Sequence, residues 1–432
     1  MERGILLSRY FKILIKKLAD LWNKGAFHII IGSFVTKFVS FFGTIFLIRV
    51  MSKESYGLLS YMENIYGYLF IFAGMGLGNG LLRYVILGKN IHEKFTYYLY
   101  TVKAASIYNF FYVAIIILVL TIYPHPAEFE SIRIMLIIMV IFTLPFEYLF
   151  IENTLNFRAM FDNKLYAGVG LTFSILLIIF QYAGAVLFDL EGVVFLKITA
   201  NIIMGLGVCY FSYNYYFKGI KKTKLEKKEK KEINIYSIQY MFTSGAWSIF
   251  MLNDIMLLGI LSGSALLVAD FKVAYVLPAN LAIISTAIGI FIGPYFIKHE
   301  NDKTWVWKNY KKVLFIVFSL IAPIALFLFI FAPQIVSGLY GSEYISTVPI
   351  MRILIFSSLI NATFRFTTAH LLSSMGQIKY NLYISIVGIL LQVSINIFAI
   401  PTFGISGLAI TSVFVNVFMA CSLFYIFRIK YK

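Results

Sequence analysis

Twelve apolar stretches divide this chain, and the connectors between them alternate between rich in Lys and Arg and nearly bare of both. About 20 apolar residues suffice to cross the hydrocarbon of a bilayer as a helix. Basic connectors stay on the cytoplasmic side, so the alternation sets the number of crossings and their direction together. The stretches run over about 26–50, 57–86, 98–122, 132–156, 165–188, 192–217, 236–261, 266–296, 310–331, 348–374, 380–400 and 405–428. One side carries Lys89 and Lys94, Arg158 and Lys164, the block from Lys218 to Lys231, then Lys298, Lys303 and Lys308, then Lys379, then Arg428, Lys430 and Lys432. On the other side, residues 189–191 and 332–349 hold no Lys or Arg. A multi-pass protein of the cytoplasmic (inner) membrane with both termini cytoplasmic is expected. Arg49 and Lys53, at the first outer connector, depart from the rule.

Composition leaves little else to build with. With 60% hydrophobic and 13% charged residues and a mean hydropathy of +0.84, the chain is too apolar for a soluble fold of its length. Its 432 residues leave about 36 for each span with its connector, so no folded domain outside the membrane fits. The formal charge of +17 would suggest nucleic acid in a soluble protein. Here the basic residues gather at connectors, as topology requires, and nucleic acid is not an expected partner. Cys209 and Cys421 fall inside apolar spans, which speaks against a disulfide framework. The five His residues are scattered without ligand spacing, so neither a metal nor a cofactor is expected. Gly74, Gly76, Gly78 and Gly80 form a loose G-x-G pattern with no strand before it, which points to close helix packing or a hinge rather than a nucleotide site.

Residues 1–25 carry six Lys or Arg opposite Phe11, Leu14, Leu18, Leu21 and Trp22, the pattern of a basic amphipathic helix on the cytoplasmic surface. Residues 218–235 form a Lys-rich cytoplasmic linker between a six-span lobe over 26–217 and another over 236–432. A shift of 215 positions lays Met160 on Met375, Lys164 on Lys379, Asp189-Leu190-Glu191-Gly192 on Gly404-Ile405-Ser406-Gly407, and Val193 on Leu408. Six spans per copy means that both copies cross in the same sense, the parallel-repeat arrangement of many secondary transporters. The fold class expected is an all-α polytopic membrane protein, with twelve transmembrane helices in two pseudo-symmetric six-helix lobes around a central cavity.

An ionisable group near the bilayer centre costs about 2.5–3.5 kcal/mol on insertion scales, so each one is a site candidate. Lys37 is midway along the first span, with Ser33, Ser40 and Thr44 on the same helical stripe, an arrangement that suits an anion in a wet cavity or, equally, a Lys paired with a carboxylate. Arg365 is central in the tenth span, with Ser358, Asn361 and Thr368 expected on its side, and its guanidinium can grip phosphate or carboxylate at two points. Lys272 joins these as a binding candidate. Asp254, Glu63, Glu147 and Asp270 are candidates for ion coupling, since a carboxylate in a low-dielectric lumen can exchange protons or hold Na+.

Several segments resemble the polysaccharide-type flippases of the multidrug/oligosaccharidyl-lipid/polysaccharide transporter superfamily. They are Leu47-Ile48-Arg49-Val50-Met51-Ser52-Lys53-Glu54-Ser55-Tyr56-Gly57, Gly76-Leu77-Gly78 followed by Arg83-Tyr84, Tyr340-Gly341-Ser342-Glu343-Tyr344, Ser374-Met375-Gly376-Gln377, and Ile400-Pro401-Thr402-Phe403-Gly404-Ile405 with Ser406-Gly407-Leu408-Ala409. Asp254 also falls where that family often has an acidic residue. The similarity covers about residues 26–428. It implies a non-enzymatic carrier that moves polyprenyl-pyrophosphate-linked oligosaccharide across the membrane by alternating access, for O-antigen or capsule-like surface polysaccharide. Its partners would be the lipid-linked glycan, membrane lipids and assembly proteins such as a polysaccharide polymerase.

Two other classes compete. A drug or metabolite antiporter of the same superfamily shares the twelve-span plan but would favour cations and an acidic lumen. A polysaccharide polymerase or acyltransferase would need an acid/base set in a sizeable outer loop, and the segment 332–347 offers one carboxylate, Glu343, and no His.

Overall fold

The computed structural model describes residues 26–122 and 126–432. The basic segment over 1–25 lies outside the described residues, as does the side chain of Ser33. Helices run in the order α1 (Ala26–Val50), α2 (Lys53–Phe70), α3 (Leu77–Leu87), α4 (Ile91–Ile122), α5 (Arg133–Ala159), α6 (Asn163–Tyr216), α7 (Lys227–Ser262), α8 (Ala265–Asn280), α9 (Ala282–Lys298), α10 (Lys303–Ile330), α11 (Ala332–Leu339), α12 (Val348–Ile360), α13 (Thr367–Ser374) and α14 (Ile378–Tyr431). Starts are fixed by side chains that accept otherwise unsatisfied backbone N–H groups. Ser52 caps Ser55, Asp162 caps Leu165 and Asp302 caps Trp305.

The two 54-residue helices α6 and α14 are each a pair of spans. At Asp189 (φ 48°, ψ −129°) and at Gly404 (φ 58°, ψ −140°) the backbone leaves the helical region. A Cβ on Gly192 would strike the Gly184 carbonyl and the Phe188 side chain, and one on Gly407 would strike the Ala399 carbonyl and Phe403. Residues eight apart in a straight helix are about 12 Å apart, so such contact means that the chain has doubled back. The 215-residue shift carries Gly184, Phe188, Asp189 and Gly192 of the first hairpin onto Ala399, Phe403, Gly404 and Gly407 of the second. The repeat seen in the sequence is a repeat of backbone conformation.

Span 2 is broken instead. Gly74, Met75 and Gly76 all have positive φ (59°, 53° and 72°), and the helices on either side are bent by 47°. With α2 and α3 taken as one bent span, α8 and α9 as one, and α12 and α13 as one, the chain makes twelve crossings of an all-helical, multi-pass membrane fold.

Two compact units emerge from the packing. Unit 1 comprises residues 1–44, 72–118 and 137–241; unit 2 comprises 45–71, 119–136 and 242–432. In unit 1, Phe95 and Tyr98 of α4 pack on Phe217, the residue that follows α6. The Lys-rich connector is pinned there, since Thr223 N–H donates to Thr96 Oγ1 at 2.8 Å and Tyr97 OH donates to Glu229 at 3.1 Å. In unit 2, α2 lies tightly on α8, where Gly57 leaves room for the Ala265 carbonyl. Tyr61 is fully buried against Phe129 and Gly259.

Arg49 and Lys53, the two basic residues that depart from the connector charge pattern, both have partners within unit 2. Arg49 donates to the carbonyls of Gly338 and Leu339, at the C-terminal end of α11, the second at 2.9 Å. That is where unsatisfied carbonyls and the negative end of the helix dipole attract a cation. Lys53 sits 2.6 Å from Asp270 and 5.4 Å from the centre of the Tyr344 ring.

Candidate functional site

A buried polar cluster fills the middle of unit 2. Asp254 of α7 accepts from Gln392 Nε2 at 2.6 Å and Asn396 Nδ2 at 3.4 Å on one oxygen, and from Ser412 Oγ at 3.0 Å on the other. Gln392 and Asn396 lie one turn apart on the first limb of α14, and Ser412 and Asn416 one turn apart on its second limb, so each pair presents one face. The hairpin at Gly404 brings the two faces to the same carboxylate. Asn253 ties into the network by donating to Gln392 Oε1 at 2.9 Å, and Asn416 donates to Ser357 Oγ at 3.0 Å.

Among the described residues no Lys, Arg or His forms an ion pair with Asp254, so neutral hydrogen-bond donors alone support it. Beside it is a cavity of about 20 Å³ lined by residues including Asp254, Tyr275, Ser357, Ser358, Asn361 and Asn416. That volume admits one water-sized occupant. The amide oxygens of Asn396 and Asn416 are buried without partners, which leaves acceptors spare around a negative group.

Arg365 is adjacent in the tenth span and 3% exposed. Its guanidinium lies 3.8 Å from the centre of the Trp247 ring and 4.9 Å from that of Phe250, cation–π contacts that replace part of the lost hydration. One of its terminal nitrogens donates to Asn361 Oδ1 at 3.1 Å, while Nε–H has no acceptor. No carboxylate pairs with it among the described residues. Unit 2 therefore holds a carboxylate without a cation and a guanidinium without an anion.

Thr368 does not share the Arg365 side. Residues Asn361–Phe366 form a π-turn, which adds a residue to the helical turn and rotates the helix beyond it. Arg365 meets α7, whereas Thr368 bonds Tyr310 of α10 at 2.8 Å. The other candidates are dispersed. Asp270 is the partner of Lys53, with 13% and 21% side-chain exposure respectively. Lys272 has Glu63 as its charged neighbour across the α2–α8 contact. Glu147 is half-buried in unit 1 and is not free of interactions. Lys37 and Ser40 are exposed on α1 in unit 1, beside exposed Phe34 and Phe38, and Thr44 Oγ1 donates to the Ser40 carbonyl at 3.1 Å.

Sequence reasoning missed Gln392, Asn396, Ser412, Asn416 and Trp247. The i, i+4 pairing of amides and hydroxyls within apolar spans was the available signal. It also missed Glu152, 1% exposed in unit 1.

A family described as "Polysaccharide biosynthesis protein" matches residues 22–300. An uncharacterized membrane protein of Methanocaldococcus jannaschii is 25% identical over 407 residues, 85% of this chain and 77% of that protein. Among solved structures, the lipid II flippase MurJ in an inward closed conformation is similar with a TM-score of 0.76 at 12% identity, over 93% of this chain and 87% of that one. An inward-facing multidrug resistance MATE family transporter of the MOP superfamily gives 0.66 at 15%, over 91% and 94%. A MOP superfamily transporter from Pyrococcus furiosus, described as having a binding pocket of reverse polarity that suggests a different function, gives 0.64 at 15%, over 94% of both chains. At these identities the structures speak for the fold alone.

Proposed function

The chain belongs to the polysaccharide biosynthesis protein family, and on that premise we propose that it carries polyprenyl-pyrophosphate-linked glycan across the cytoplasmic membrane by alternating access. The observation that carries this reading is Arg365, a guanidinium held among apolar rings with an unused N–H and no carboxylate partner among the described residues. A buried cation left without a counter-ion is costly, and an anionic ligand relieves the cost. Pyrophosphate or an acidic sugar suits a planar, multiply donating group. Trp247, already stacked on that group, gives an adjacent apolar face on which a sugar ring can rest. Lys37, with the hydroxyls of Ser40 and Thr44, would supply the anion contact of unit 1.

Asp254 fits the coupling role. Its carboxylate is served by neutral donors, stands beside a cavity with room for a single water-sized occupant, and has spare amide oxygens near it. A proton or a bare monovalent cation matches that space, and either would tie cargo movement to an ion gradient. The Pyrococcus transporter, in which a reversed pocket polarity suggests a different function, supports taking pocket charge as the discriminator against a drug antiporter.

Reconstitution with a fluorescent polyprenyl-pyrophosphate oligosaccharide, with leaflet transfer as the readout, tests the proposal. Transfer by the wild-type protein and its loss in the Lys37→Ala, Arg365→Ala double variant are expected. Full transfer by that variant would remove the site assignment, and glycosidic bond formation in the same assay would remove the functional class.

A further inference from the structure

Unit 1 has an ionisable centre of its own, independent of the cargo reading above. Glu152 in α5 is 1% exposed. No described Lys, Arg or His pairs with it, its neighbour Thr101 of α4 spends its hydroxyl proton on the Tyr97 and Tyr98 carbonyls, and its Oε1 has no partner. The titratable groups that face it are Tyr98 of α4, Cys209 of α6 and Tyr148 of α5, none of them cationic. Glu147 and Lys197 take part in interactions of their own. A carboxylate so enclosed, with neither a counter-ion nor a full set of donors, can have its charge neutralised by taking up a proton.

Water has a place beside it. A cavity of about 140 Å³ is bounded by Glu152, Tyr148, Asn109, Ser106 and neighbouring apolar groups, well above what one water needs. The same walls hold the break in span 2. Tyr148, one turn before Glu152 and on its face, donates its hydroxyl proton to the Gly74 carbonyl at 3.3 Å and accepts from Gly78 N–H at 2.7 Å. Asn109 Oδ1 accepts from Gly74 N–H at 2.7 Å.

We propose that Glu152 is a proton-binding site, exchanging its proton with water in this cavity, and that its occupancy governs how firmly the left-handed run Gly74-Met75-Gly76 is held. Loss of the proton sets a negative charge next to Tyr148, which draws that hydroxyl proton toward the carboxylate and away from the Gly74 carbonyl. The break then loses one of these three side-chain contacts.

Infrared titration of the protein in lipid nanodiscs, with hydrogen exchange of the peptide over 70–80 measured alongside, tests this. The wild type should give a protonated-carboxyl band at neutral pH that fades on alkalinisation, with a several-fold rise in exchange at 70–80 beyond the intrinsic pH effect. Glu152→Gln should lack the band and hold exchange at its low-pH level throughout, whereas Glu152→Asp should keep a displaced band. An unchanged band in Glu152→Gln, or pH-independent exchange in the wild type, overturns the proposal. A response to Na+ at fixed pH, without an acid band, overturns the assignment of the ligand as a proton.

Discussion

Asp189 and Gly404, 215 positions apart, occupy the same unusual backbone conformation, with φ of 48° and 58° and ψ of −129° and −140°. Each sits where a long helix folds back on itself. Of the two, Gly404 has the residue type that the conformation favours, because this backbone region strains any residue that carries a Cβ, even with open space around it.

Gly404→Ala is therefore expected to cost about 1–3 kcal/mol, read as a fall of several degrees in the melting temperature of detergent-purified protein. Gly407→Leu should be worse, because the new side chain meets the Ala399 carbonyl. Wild-type melting in both variants would mean that the turn is not strained.

The Lys53–Asp270 pair, partly shielded at 21% and 13% exposure, should behave between a surface and a buried ion pair. Asp270→Asn or Lys53→Met alone is expected to destabilise by about 1–3 kcal/mol. The Lys53→Met, Asp270→Leu double variant should recover most of the loss. A thermodynamic cycle with no coupling between the two sites would contradict this.

If Arg365 receives the cargo's anion from its seat on Trp247, charge alone is insufficient. Arg365→Lys and Trp247→Leu should each slow leaflet transfer about tenfold, the equivalent of one cation–π contact, with expression and melting little changed. Transfer at the wild-type rate in Arg365→Lys would show that the planar group is dispensable.

Asp254→Asn keeps the hydrogen-bonding shape but removes the charge. Transfer should lose its dependence on an imposed proton or sodium gradient while facilitated, gradient-independent exchange persists. Flux assays with each gradient applied separately identify the ion. An unaltered gradient dependence would move the coupling role elsewhere.

The reach of sequence reasoning tracks the length scale of the physics. Spans, connectors and the repeat were readable because hydropathy and basic connectors act over tens of residues, and the 215-residue offset located both hairpins. The resemblance carried by Arg49 to Gly57 falls within the residues that the family match covers, whereas the late glycine motifs lie beyond them. Partners across helices were not readable. Nothing local to Lys53 names Asp270, and nothing local to Asp254 names Gln392, Asn396 or Ser412, which come together only through the Gly404 turn. Glu152, Asn153 and Asn156 stand at the end of an apolar stretch in the sequence but are buried, since neighbouring helices cover them. Thr368 was misplaced because a regular 3.6-residue period was carried through a π-turn.

That turn at Asn361–Phe366 makes chain length itself a fixed quantity in this part of the protein. Excising a single residue would let the helix relax to ordinary winding and swing everything downstream by about a quarter of a revolution. Thr368 would leave Tyr310, and His370 and Ser374 would leave the close approaches they make to Gly289 and Gly293. Many amino-acid exchanges can be absorbed here, whereas a one-codon deletion would derail the packing of α13 as far as the next connector.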